Sequence, residues 1–356
     1  MPGLTVDTIR GRVIAAATDL LRARPDLQPD RAYPLDSVPG AIFTPHRFPS
    51  FTEFRAAEAL SDGLTWIRTG EEWSVSEVAP ESPAAFQGVQ SGDVWTVPED
   101  NPWSLCLRAQ PVRLALRRGG QPRPVTLTCQ PFEHSQLLGA QLNAETGYLR
   151  PSFLPASYGY LWLRLSNEVD RLKALGVKTL VLDLRGNEGG AVDLAMEAAD
   201  LFLRRGIIVH IQPADSEAGA SEAESFEASD GQFDVREPLV VLVDRHTGGA
   251  AEVLAAALQQ NGRGLLLGQQ TAGECRLWTA GTLYGAQRSG DGSREIVGTY
   301  RYPDGSWLPP ANQSTCGRGL MPDVPLEQDA SFRSYLPDPA HDAPLAEAMT
   351  LLRASP

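Results

Sequence analysis

Residues 240–255 read VVLVDRHTGGAAEVLA: a strand-like apolar run stops at Asp244, passes through Thr247, Gly248 and Gly249, and enters an Ala/Val/Leu pattern of helical period. In α/β hydrolytic enzymes a sharp strand-to-helix turn of this kind carries a nucleophilic serine, with backbone N–H groups aimed at the scissile carbonyl. This turn has no serine. Three nearby side chains have the chemistry to replace one: His246 and Thr247 in the turn itself, and Cys275 beside Glu274. A Thr/His pair has the composition of a nucleophile with its base, yet the two stand close together before the helix, where neither readily activates the other. An adjacent carboxylate disfavours the thiolate of Cys275, and Arg276 offsets that only in part. The plainer expectation is loop surface for His246 and small buried filler for Cys275. Upstream, residues 184–190 read LRGNEGG. There Gly189 and Gly190 let the backbone turn and expose N–H groups suited to an oxyanion, or simply make a tight strand-to-helix connection.

Strands and helices must position these turns. From Ala144 onward, GYLRPSF, VKTLVLDLRG, PLVVLVD and LLLGQ read as strands. They alternate with helical patterns in ASYGYLWLRLSNEVDRLKALG, AVDLAMEAADLFLRRG and GAAEVLAAALQQNG, the rhythm of a sheet covered by helices on both faces. The acidic run PADSEAGASEAESFEASDGQFD reads as a solvated loop or loosely paired hairpin. Residues 63–130 change character: short β-like runs surround a small helix, and VRLALRRGGQPRPVTLTC alternates about a Gly-Gly turn, a hairpin signature. The order of strand, PESPAAFQGVQSGDVW and closing hairpin resembles a PDZ domain, in which Gly63, Leu64, Thr65 and Trp66 would hold a peptide carboxylate on backbone N–H groups. The alternative is a small β-barrel without a ligand. The first 60 residues are expected to be mostly helical, with Ser50 and Glu53 spaced as a capping box.

The 356 residues, 42% hydrophobic with seven tryptophans, exclude a disordered chain. A net charge of −13 with dispersed basic residues argues against nucleic-acid binding, and no apolar run approaches the roughly 18 residues of a membrane span. Cys106, Cys129, Cys275 and Cys316 form no CxxC pair and lie at no ligand spacing from the five scattered histidines, so neither a metal nor a cofactor is expected. A single optional disulfide is left open. The start lacks the order of a signal peptide, which predicts a soluble protein, cytoplasmic if Met1 is the native start and periplasmic or extracellular if an export segment has been removed.

Several ordered segments together resemble the C-terminal processing, or tail-specific, serine peptidases: FTEFRAAEALSDG, LVLDLRGNEGGAVDLAMEAADLFL, PLVVLVDRHTGGAAEVLAAALQQNGRGLLLGQQTAGE and GRGLMPDV. The resemblance covers nearly the whole chain. It implies an α/β (α+β) multidomain fold: an N-terminal helical segment (1–60), a PDZ-like module (61–131), a peptidase-like α/β core (132–330) and a C-terminal helical tail (331–356). It also implies a Ser/Lys dyad, and here the chain departs from the family. The serine position falls on Gly249, the lysine position on Glu274, and the glutamine that orients the lysine on Trp278. The oxyanion donors would be Gly189, Gly190 and the N–H of Ala250. With three side-chain roles missing, the resemblance implies a catalytically deficient relative that binds unfolded polypeptide or protein C-termini and self-associates as a homodimer through its terminal helices. Two rivals stand beside it: an active peptidase with a relocated nucleophile at His246, Thr247 or Cys275, and an apolar small-molecule carrier lined by YGYLWLRL, whose helical spacing is also that of ordinary core.

Overall fold

The computed structural model describes residues 6–24, 33–35, 41–48, 60–69, 72–79, 82–95, 106, 111–131, 137–151, 161–213, 223–229, 235–288, 294–327 and 337–354. The chain forms two compact units, one of residues 1–134, 213–221 and 278–305, the other of 135–212, 222–277 and 306–356. The expected second helix after Ser50 lies outside the described residues.

The second unit is built on a six-stranded sheet in the order Leu137–Gln141, Thr146–Pro151, Thr179–Asp183, Leu239–Val243, Leu265–Gly268, Val324–Pro325. The first pair is antiparallel and every later pair parallel. Both faces are covered, which is why the central strands read as continuous apolar runs. Leu180, Leu182, Val241, Val243 and Leu266 pack on a layer that includes Leu165, Ala195, Ala199 and Leu254 from helices Leu161–Ala174, Val192–Phe202 and Ala250–Gln260. Val181, Val240, Leu242 and Leu267 face the opposite way, onto Leu345, Ala348 and Leu352 of helix Ala343–Ala354. Leu165 thus serves the core, in keeping with its helical spacing. The acidic segment pairs in part: Glu224–Glu227 lies antiparallel to Ile207–Pro213.

In the first unit a five-stranded antiparallel sheet runs Leu64–Thr69, Glu72–Val78, Val94–Trp95, Val112–Arg118, Gln121–Leu127. Gly119 and Gly120, both at positive φ, make the two-residue turn that sets Arg118 opposite Gln121. Alternate residues Val112, Leu114 and Leu116 bury against Trp66, Trp95 and Leu127. Ser82 caps the short helix Pro83–Phe86 through its hydroxyl, which accepts the N–H of Ala85 at 3.1 Å.

Among the described positions of the first 60 residues, helix Val6–Ala23 holds the majority, and strands Tyr33–Pro34 and Ile42–Phe48 follow it. Two expectations need correction. Residues 132–330 are not one continuous core, because Leu283, Tyr300 and Tyr302 bury against Val13, Ala17 and Phe43, drawing 278–305 into the first unit. Two disulfides form instead of at most one, Cys106–Cys129 and Cys275–Cys316, with Cα separations of 5.4 and 5.1 Å. Sequence separations of 23 and 41 residues hid both pairings.

Candidate active site

Three adjacent parallel strands, Thr179–Asp183, Leu239–Val243 and Leu265–Gly268, send their following loops to the same sheet edge. Ligand sites of α/β folds collect at such strand C-termini. The loops are 184–190, 244–249 and 269–275, the three that sequence reading singled out. They are laced together by backbone bonds: Gly248 N–H donates to Asn187 O at 2.9 Å, and Ala272 N–H to Thr247 O at 2.9 Å. Asp244 anchors the middle turn, its Oδ1 accepting the N–H of Gly186 at 2.9 Å and of His246 at 3.1 Å.

Gly249 caps the helix Ala250–Gln260 at φ +50°, ψ −121°. This is the sharp strand-to-helix elbow in which a hydrolase holds its nucleophile, a conformation strained for any residue with a Cβ. Space is not the obstacle. A Cβ built on Gly249 meets nothing nearer than Glu188 O at 3.5 Å. Gly189 is different: at φ +100° its Cβ would lie 2.8 Å from both Ala250 N and Gly248 O, so only glycine lets the two loops approach this closely. Its own N–H donates to Asn187 Oδ1 at 3.1 Å. Of the three expected oxyanion donors, Gly189 is therefore already engaged. The N–H groups of Gly190 and Ala250 have no hydrogen-bond partner among the described residues.

The remaining candidates are occupied in other ways. Thr247 is fully buried, its hydroxyl donating to Leu184 O at 2.9 Å and accepting Asp244 N–H at 2.9 Å. His246 Nε2 accepts a bond from Arg245 Nε at 3.1 Å. Cys275 is not a thiol but half of the disulfide to Cys316, which corrects the expectation of a free cysteine at this position. Glu274 spreads its carboxylate over Arg276, with Oε1 at 3.1 Å from Nε and Oε2 at 3.3 Å from Nη2. Trp278 belongs to the first unit, where the Arg301 guanidinium lies 5.2 Å from its ring centre.

Sequence reading missed the hub of the site. Glu252, fully buried, accepts the Thr271 hydroxyl and the N–H groups of Gly249 (3.1 Å), Gly273 (2.8 Å) and Glu274 (2.8 Å). Burial raises its carboxyl pKa, and the four hydrogen bonds pull against that rise. One side chain thus joins the elbow to the loop holding Glu274. The available signal was a lone acid in AAEVLAAAL, a helix segment whose residues 250–258 are all buried; a charge in such a run must be paired or richly hydrogen-bonded. A second network holds the first loop. Arg185 pairs bidentately with Asp183 and with Asp342 at 2.5–2.9 Å, while Tyr148 donates its hydroxyl to Asp183 at 2.8 Å.

The family model of peptidase family S41 matches residues 147–326, which include all three loops and the strands that carry them. The chain belongs to peptidase family S41. This S41 chain is 29% identical over 297 residues to carboxyl-terminal-processing peptidase 2, chloroplastic, of Arabidopsis thaliana, covering 74% of the chain and 53% of that relative. It is 30% identical over 235 residues to the carboxyl-terminal-processing protease of Synechocystis, covering 65% and 50%. The S41 chain thus spans about half the length of these curated relatives. Among solved structures, the photosystem II D1 C-terminal processing protease matches with a TM-score of 0.57 at 22% identity, covering 91% of this chain and 94% of that one, a likeness of fold. The mixed α/β architecture is that of the family. Among the described residues no helix is long and apolar enough to cross a membrane.

Proposed function

We propose that this S41 member is catalytically deficient and acts by binding unfolded polypeptide or protein C-termini. The observation that carries the reading is the elbow at Gly249: its backbone has the geometry of a nucleophile turn, and it bears no side chain. Loss of the nucleophile or its base costs a serine hydrolase about a million-fold in turnover, leaving roughly 10³–10⁴ over water from oxyanion donors and binding. The engagement of Thr247, the disulfide at Cys275 and the pairing of Glu274 with Arg276 argue against a relocated dyad.

The β-rich module is the polypeptide-binding part in this reading, as a PDZ-like domain. Strand Leu64–Thr69 ends the five-stranded order and pairs on one side only among the described residues. An extended segment adding there would use backbone bonds. Leu64 and Trp66 are core residues of the module, so they would shape the edge without touching the ligand. Two disulfides favour an oxidising compartment, periplasmic or extracellular. Self-association as a homodimer belongs to the same reading and is checked by sedimentation of the purified chain.

The test is an intact-mass time course with unfolded polypeptides ending in apolar residues, run with a binding titration of the same substrates. Micromolar binding without cleavage is the expected result. Cleavage that survives repurification overturns the deficiency, and absence of binding overturns the binding role.

A further inference from the structure

One nucleophile–base pair stands ready-made away from the three loops. In the antiparallel pair Ile207–Pro213 and Glu224–Glu227, His210 lies directly opposite Ser225. Its Nδ1 is 2.7 Å from Ser225 Oγ, and its Nε2 is 3.3 Å from the carbonyl oxygen of Pro310. A carbonyl oxygen only accepts, so the ring proton belongs on Nε2 and the Nδ1 lone pair faces the serine hydroxyl. The imidazole is buried and the serine exposed. A base held in one tautomer thus stands behind a nucleophile that solvent and substrate can reach, the arrangement nucleophilic catalysis needs.

We propose that Ser225 and His210 form an acyl-accepting site that reacts with neutral or cationic activated esters. Ser225 Oγ bonds to the ester carbonyl carbon while its proton passes to His210 Nδ1. The Nε2–H bond to Pro310 O tightens as the ring becomes cationic. The ester C–O bond then breaks, the departing oxygen takes the proton from Nδ1, and the serine carries the acyl group. Water, activated by the same nitrogen, later releases the acid and restores the hydroxyl. Gln212, two residues along the strand from His210 and on the same face, has its Oε1 within 3.4 Å of Ser306 Oγ, which leaves its NH₂ group as a donor for the developing oxyanion. The substrate charge follows from the strand itself: Glu227, two residues along from Ser225, repels anionic acyl donors.

The full chain is incubated with p-nitrophenyl acetate, following nitrophenolate release and mapping acetyl groups by peptide mass. One acetyl group on Ser225 is expected in samples quenched before deacylation. Ser225→Ala should abolish this label, and His210→Gln should slow it by about 10²-fold or more. Acetylation confined to lysines, or labelling of Ser225 at an unchanged rate in His210→Gln, overturns the proposal. Should His210→Gln fail to fold, Ser225→Ala decides alone: a label absent from Ser225 in the parent chain, or nitrophenolate release unchanged in Ser225→Ala, overturns it. Polypeptide cleavage is read separately, so failure here leaves the binding role untouched.

Discussion

Glu252 and Asp62 are both buried carboxylates beside a glycine turn, but they are satisfied to different degrees. Glu252 gathers four donors from two loops. Asp62, next to the turn that sequence reading assigned to a peptide carboxylate, accepts the side-chain-directed N–H of Leu64 at 3.0 Å, and burial pushes its pKa up to about 6. The first is a strut that fixes the elbow. The second is a charge held at a cost. The comparison teaches that a buried carboxylate with enough donors braces a backbone turn, while one with few remains tunable by pH.

The largest effect expected is from Glu252→Ala, which leaves buried donors from Thr271, Gly249, Gly273 and Glu274 without an acceptor. The loss should be about 4 kcal/mol, read from urea denaturation midpoints. A loss below about 1 kcal/mol would show that Glu252 is not a strut. Gly189→Ala comes next, at about 3 kcal/mol by the same measurement, from positive φ and a Cβ 2.8 Å from backbone atoms of the elbow.

For Asp62 the sign is opposite. Its folded pKa lies above the unfolded value of 3.8, so the folded chain holds the proton more tightly and ionisation removes stability as pH rises from about 4 through about 6. Asp62→Asn should therefore stabilise by about 2 kcal/mol at pH 8, with the gain vanishing below pH 4 in paired denaturation curves. An unchanged gain across pH would break the comparison. The smallest effect is that of Gly249→Ser, about 1 kcal/mol of destabilisation in thermal melts, since strain is its only cost where the Cβ fits. Combined with Glu274→Lys, the same variant asks whether the elbow can still support hydrolysis of an unfolded polypeptide. Cleavage by the double variant and not by the parent chain would trace the difference to those two side chains.

The strands and helices of the core were legible because their signals are local. Apolar runs of five residues such as Leu239–Val243 and the 3.6-residue pattern of Val192–Phe202 need no partner to be recognised. The Gly-Gly hairpin at 119–120 was legible for the same reason, since its turn demands positive φ at both positions. The three loops of the candidate site were found by their glycines and by the missing serine. The hub was not. Glu252 acquires its role from Thr271, Gly273 and Glu274, about twenty residues farther on, and no periodicity reports a contact of that kind.

The sequence by itself determined what stands at positions 249 and 274: with no hydroxyl at the first and no amine at the second, no arrangement of the backbone makes a Ser/Lys dyad of those two residues. It also determined the layered α/β core, because burying both faces of a parallel sheet requires the runs and stripes the chain carries. Tertiary structure alone decided the rest. It joined Cys275 to Cys316 and so removed a candidate nucleophile, drew residues 278–305 away from the core through Tyr300 and Tyr302, and set His210 against Ser225 across a hairpin. Each of these depends on distance in space between residues far apart in the chain, and that distance is fixed by packing.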